Sequence, residues 1–156
     1  MDLINACKSN DTKKALDLIM NNDTNLDIVD NDGCNALMWA CSRKMTEVAL
    51  ELIKTGHAKP EQVNTYFDTA LIWACQNGMT EVALELIKTG KSNPDYIGNL
   101  GYTALIWACE NGMKEVAYEL VSIGTFTVND LMSLKPEWVP EELLIMNPVD
   151  VTEVDI

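Results

Sequence analysis

Histidine is almost missing: His57 stands alone among 156 residues. A Cys2His2 zinc site needs two imidazoles, and no nucleophile triad is assembled in any motif around this single ring. Cations are scarce as well. Eleven Lys and Arg face 24 Asp and Glu, for a formal net charge of −13. That balance argues against DNA or RNA as a ligand, because phosphate neutralisation needs clustered bases. It argues equally against an anionic membrane surface. No apolar run reaches the ~20 residues that span a bilayer, and no charged-then-apolar segment follows Met1. The glycines are spaced along the chain instead of gathered into a phosphate-binding loop. The expectation is a soluble protein of a reducing, cytoplasmic compartment, without nucleic-acid or membrane partners and without a cofactor. Five cysteines with no secretory segment imply free thiols, and an odd count suits a disulfide framework poorly.

Repetition is what the chain has in quantity. "NALMWAC" at 35–41, "TALIWAC" at 69–75 and "TALIWAC" at 103–109 recur at an interval of 34 residues. "MTEVALELIKTG" at 45–56 is identical to 79–90, and "MKEVAYELVSIG" at 113–124 follows its pattern. One interval earlier, "LINAC" at 3–7 and "TKKALDLIMNN" at 12–22 hold the same places. Four units result, at about 1–34, 35–68, 69–102 and 103–124. Each reads as two short helices. The first runs from about Ala70 to Gln76 and stops at Asn77-Gly78, where glycine can enter the left-handed region. The second opens at Thr80 as N-cap, carries Val82, Ala83, Leu86 and Ile87 at helical spacing, and stops at Gly90. Polar stretches rich in Asn, Asp, Gly and Pro, such as "KSNPDYIGNLGY" at 91–102, read as hairpin-like turns. One unit cannot bury its apolar face alone, but stacked units can.

The unit resembles the ankyrin repeat. "TALIWACQNGMTEVALELIKTG" matches that family's pattern at Thr69, Leu71, Ala74, Gly78, Glu81-Val82, Leu86 and Gly90, in phase over about residues 1–124. Several positions depart from it. Ala70 replaces proline, Ile72 and Ile106 replace the first histidine, and Met79 and Met113 replace the second. Phe67 stands where the hairpin usually has glycine, and Lys44 where the first helix does. The lost histidines imply heavier reliance on apolar packing. The divergent "LIWAC" form is similar to repeats of large DNA viruses of protists, which would place the protein in a host cytoplasm. The resemblance implies an all-α helical-repeat solenoid of four helix-turn-helix units that binds protein partners through a concave groove and its hairpin tips.

Cys7, Cys41, Cys75 and Cys109 share one position of the repeat. Packed helices lie ~8–10 Å apart. A disulfide needs Cα atoms within ~7 Å, and zinc needs its sulfurs ~2.3 Å away. The ladder therefore reads as core, with cysteine in place of alanine. Cys34 lies outside the ladder at a hairpin tip and is expected to be the exposed thiol. Trp39, Trp73 and Trp107 project about 200° around the helix from Leu71 and its equivalents. They share that face with Ser42 and Arg43, with Gln76 and Asn77, and with Glu110 and Asn111. Asn5 breaks the row in the first unit. Two readings stay open: the indoles clad the hairpins, or they form an aromatic strip of the kind enriched at binding hot spots. The tips add Asp32, Tyr66, Asp68, Leu100 and Tyr102. The series Glu47, Glu51, Glu81, Glu85, Glu115 and Glu119 reads as a solvated outer face and not as an acid/base pair.

The phase is lost after Gly124. Residues 125–148 read as a helical cap, with Thr127 and Asp130 as a capping box and Phe126 and Leu131 as a hydrophobic staple. Residues 149–156 read as an acidic tail. The functional expectation is a monomeric, non-catalytic protein-interaction module whose partner presents a basic or apolar surface. The alternative is a substrate adaptor for a ubiquitin ligase, because "VPEELLIM" faintly resembles the start of an F-box. An enzyme ranks third.

Overall fold

The structure, a computed structural model, describes residues 2–21, 25–99 and 101–123. The readings for Leu100, the cap, the tail and the F-box-like stretch lie outside the described residues. Within them are eight helices in four pairs: α1 (Asp2–Lys8) with α2 (Thr12–Met20), α3 (Ala36–Ser42) with α4 (Thr46–Thr55), α5 (Ala70–Gln76) with α6 (Thr80–Lys88), and α7 (Ala104–Glu110) with α8 (Lys114–Ser122). First helices stack on first helices, second helices on second helices, and the two helices of a pair on each other. The result is a two-layered α-solenoid. Its only extended pairing among the described residues is one bridge between Val63 and Thr69.

Local chemistry sets the helix limits. The side chains of Asn35, Thr69 and Thr103 accept the N–H groups of Met38, Ile72 and Ile106, satisfying donors that the first turn leaves free. The first helices end on left-handed residues. Gly78 and Gly112 hold that place at φ 69° and 65°, and Asn10 and Lys44 hold it at 58° and 57°. The second helices differ from expectation: Thr80 is not an N-cap. It is the first helical residue, and the cap position belongs to Met79, as it does to Met45 and Met113, with no side-chain hydrogen bond. These methionines are buried, and their backbone N–H groups donate to Ala40, Ala74 and Ala108 of the preceding helix. Apolar anchoring and a backbone bond start the helix where a polar cap would otherwise do so.

One continuous core runs through all four pairs. Leu37, Leu71 and Leu105 of the first helices and Val48, Val82 and Val116 of the second are buried in it, together with Ala40, Ala74 and Ala108. Neighbouring pairs are also clasped by amides. Asn77 donates to the Cys41 carbonyl at 3.3 Å and to that of Trp73 at 2.9 Å, and Asn111 donates to the Cys75 and Gln76 carbonyls at 3.0 and 3.2 Å. Asn77, which the sequence assigns to the indole face, thus spends its side-chain donors inside the fold.

All five cysteines are free and buried. For the ladder this is the expected outcome. For Cys34 it is a correction: its exposure is 1%, because the next hairpin closes over it and the Asn64 amide lies 3.5 Å from its sulfur. Desolvation raises every one of these thiol pKa values, Cys7 to about 12 and Cys109 to about 11. Each thiol is therefore neutral near pH 7 and a poor nucleophile.

The hairpins share one turn. Asp30 Oδ1 accepts the N–H groups of Asp32 and Cys34, both at 3.0 Å, and Asn64 Oδ1 accepts those of Tyr66 and Asp68 at 3.0 and 2.9 Å. The tip residue is left-handed: Gly33 at φ 75°, Gly101 at 75°, and, against steric preference, Phe67 at 61°. Phe67 is 61% exposed, so little packing offsets that strain.

Two outcomes follow from this packing. A thiol reagent should leave all five cysteines unlabelled in the native state and reach them only on unfolding. Rapid native labelling of Cys34 would contradict its burial beneath the second hairpin. Phe67→Gly should raise stability by about 0.5–1 kcal/mol, the relief of left-handed strain less the added freedom of the unfolded chain. A lowered urea midpoint would show that the ring makes contacts that outweigh the strain.

Candidate functional site

The three indoles of the sequence row lie half-buried along the first-helix layer, each met by a hairpin. Their surroundings are unequal. Trp39 Nε1 donates to Asp30 Oδ2 at 2.8 Å, and the Lys8 ammonium lies 2.7 Å from the same oxygen and 4.8 Å from the Trp39 ring centroid. Arg43, exposed, holds its guanidinium 5.8 Å from that ring. Trp73 meets Trp39 edge to face at 6.1 Å and donates through Nε1 to Asp68 Oδ2 at 3.1 Å. Trp107 meets Tyr102 edge to face at 4.9 Å, and no described residue accepts its indole N–H. Both readings of the row thus have a structural counterpart: each ring leans on a hairpin, and each keeps part of its surface open.

Asp30 is the tightest electrostatic point of this layer. Its side chain is only 6% exposed. Burial alone would raise its pKa, but the Lys8 ammonium, the Cys34 and Asp32 backbone N–H groups and the Trp39 indole together outweigh it and hold the carboxyl below its ordinary value. Asp30 therefore fixes the first hairpin, the first indole and Lys8 at once.

The other named residues fall as follows. Gln76 and Glu110 are exposed on the same layer as the indoles. Tyr66 is 50% exposed, with its hydroxyl 3.5 Å from Asp32 Oδ1. Asp32 is half-buried, and its carbonyl accepts the Thr65 N–H at 2.8 Å, tying the first two hairpins together. Asp68, Tyr102 and Trp107 share one pocket of about 150 Å3 with Ile72, Gln76, Gly98 and Asn99. Lys8, Asp30 and Gly98 were not singled out from the sequence. Their signal was available in the repeat: Lys8, Ser42, Gln76 and Glu110 occupy one position, and Asp30, Asn64 and Gly98 another. No described helix is long and apolar enough to cross a membrane.

Comparison with known proteins adds one decisive match. The family model described as "Ankyrin repeats (3 copies)" matches residues 3–97 and again 51–130. The chain belongs to the ankyrin repeat family. Repeats of this family generally mediate protein–protein interaction and are typically not catalytic. No curated protein matches the chain. Among solved structures, it is similar to a chain in the complex of the Bd0816 predatory endopeptidase from Bdellovibrio bacteriovorus with immunity protein Bd3460, at 30% identity and a TM-score of 0.68 over 79% of this chain and 63% of that one. It is also similar to EF0377, an ankyrin repeat protein, at 27% identity and a TM-score of 0.67 over 82% of this chain and 64% of that one. The ankyrin chain therefore spans a little under two thirds of these relatives' lengths.

The Asp30 cluster makes stability pH-dependent with a definite sign. A carboxyl whose folded pKa is depressed stabilises the fold above its unfolded pKa of ~3.9 and loses that contribution as pH falls through the folded value. Asp30→Asn should cost about 1–2 kcal/mol at pH 7, a figure kept modest because Lys8 is 37% exposed. The gap in melting temperature between the two proteins should shrink between pH 5 and 2. A gap constant across that range would mean that the carboxylate charge contributes nothing.

Proposed function

We propose that this protein is a non-catalytic interaction module that grips a protein partner along the indole-bearing first-helix layer and the adjoining hairpin tips. One observation carries the reading: three partly open indoles recur in phase on one layer, with exposed Arg43, Gln76 and Glu110 beside them. Trp and Arg are the residue types that dominate interface energetics, and an in-phase row offers contact over several units. Tyr66 and Tyr102 extend the surface onto the hairpins at low cost in side-chain entropy. The net charge of −13 favours a partner with a basic face. Five unpaired thiols suit a reducing compartment. That a structurally similar chain occurs in the complex of an endopeptidase with an immunity protein supports the same general role. The outer layer is the poorer candidate: Glu51 with Lys54 and Glu85 with Lys88 are exposed pairs of the kind that contribute little.

The test is affinity capture followed by a binding measurement on the captured protein. Trp107→Ala should weaken binding by about 2 kcal/mol, roughly thirtyfold, while lowering the unfolding midpoint by only a few degrees. Glu81→Ala, on the outer layer, should change neither. Binding unaffected by Trp107→Ala and by Trp73→Ala would remove the indole layer from the interface.

A further inference from the structure

The repeat allows one site of the molecule to be read by another. Lys8, Asp30 and Trp39 form a filled site, with one ammonium bound by one carboxylate oxygen and stacked on one indole. Two repeats further on, the same three positions are Gln76, Gly98 and Trp107, and all three border the 150 Å3 pocket. The carboxylate has not been lost there. It arrives from the preceding hairpin. A β-carbon on residue 98 would lie 2.7 Å from Asp68 Oδ1, so Asp68 occupies the space into which a side chain at 98 would start. Asp68 Oδ2 accepts the Trp73 indole, while Oδ1 accepts from no described residue. Aromatic surface is also present, from Trp107 and Tyr102. Only the cation is missing: Lys8 has become Gln76, which is shorter, neutral and exposed.

We infer that the pocket between Asp68, Tyr102 and Trp107 receives a lysine side chain of the protein partner, which supplies in trans the ammonium that Lys8 supplies in cis beside Trp39. The inference rests on the interaction-module reading and gives it a chemical address. Volume agrees, since a cavity of about 150 Å3 accommodates a benzene-sized group and hence an unbranched butyl stem. So does charge: a carboxylate with an open oxygen beside an aromatic face suits a compact ammonium, and the −13 net charge draws basic ligands toward it. The middle repeat is not a competitor. At the position of Lys8 it has Ser42, at that of Asp30 it has Asn64, and the Asn64 amide already contacts Cys34. The two sites thus divide the layer into a sealed end at Trp39 and a receptive end at Trp107.

The probe is the capped tripeptide Ala-Lys-Ala, titrated into the 15N-labelled full chain while the Trp107 indole N–H signal, assigned with Trp107→Phe, is followed. Ala-norleucine-Ala, with the same stem and no ammonium, is the control. The lysine peptide should move the Trp107 signal along a saturable millimolar curve, and the norleucine peptide should bind at least about fivefold more weakly. Asp68→Asn keeps an acceptor for the Trp73 indole but removes the charge, and should reduce the lysine response by a similar factor. Gln76→Lys should abolish it by filling the pocket from within, at an unchanged or higher melting temperature. Equal curves for the two peptides would overturn the assignment. So would a Trp107 signal that never shifts, or Asp68→Asn and Gln76→Lys proteins that respond like the parent. Because the titration needs no natural partner, its failure with a successful affinity capture would remove the lysine pocket and leave the interaction layer. A lysine response with an interface that ignores Trp107→Ala would overturn the assignment of the pocket to the partner's lysine.

Discussion

First helices can stack closely only where their facing side chains are small. The first helices carry Ala40, Ala74 and Ala108, with Cys7, Cys41, Cys75 and Cys109, as small buried residues, nearly all of them shut off from solvent. Alanine and cysteine add little bulk, so neighbouring helices approach far enough for leucine, valine and methionine from both layers to close over them. Everything else hangs on that spacing. The Asn77 and Asn111 amides reach back to carbonyls of the preceding pair because the pairs sit at that distance. The Thr65 N–H finds the Asp32 carbonyl for the same reason. A larger residue in the ladder would push the layers apart and leave those polar groups unsatisfied together.

The interaction layer is a by-product of this stacking, differentiated afterwards at the hairpins. The indoles recur because the repeat recurs. What differs is which group each one meets: a lysine and an aspartate at Trp39, an aspartate and another indole at Trp73, a tyrosine edge at Trp107. Near-identical helices thus carry three chemically distinct places. The distinctions come from positions 30, 64 and 98 and from 34, 68 and 102, all of them in loops, and from positions 8, 42 and 76 at the last residue of the first helices. This division of labour, with rigid repeats for support and loops for chemistry, is common where binding residues are displayed on a scaffold.

Much of this was readable from the chain, and the misses share a cause. The limits of α5 followed from periodicity and from Asn77-Gly78, and the structure places them at Ala70 and Gln76. Lys44 and Phe67 stand at positions where the family keeps glycine, and both adopt left-handed φ. These are local properties, decided within a few residues. Thr80 was misread because a buried methionine, held by the preceding helix, does the work that a hydroxyl would do on an isolated helix. Cys34 was misread because its cover comes from Asn64, thirty residues later. The Asp30–Lys8–Trp39 cluster escaped notice because its members come from three separate elements, brought together by stacking and not by spacing along one helix. The sequence pattern reports what a segment does alone and is silent on what its neighbour lends it.

Identical segments 34 residues apart create a hazard of their own, for "MTEVALELIKTG" at 79–90 can in principle dock wherever its twin at 45–56 belongs. The two second helices, identical in sequence, offer no means of telling the registers apart. The loops do. Asp68 meets Gly98, where a β-carbon would lie 2.7 Å from its Oδ1, and Cys34 meets the amide of Asn64. A chain slipped by one unit would set Gly98 opposite Cys34 and lose the Asn64 amide that meets its sulfur in the native register. The bare backbone at residue 98 and the amide at residue 64 thus work like the bittings of a key: each is matched to the neighbour it meets, Asp68 in one case and Cys34 in the other, so the loops mark the register that the repeated second helices do not.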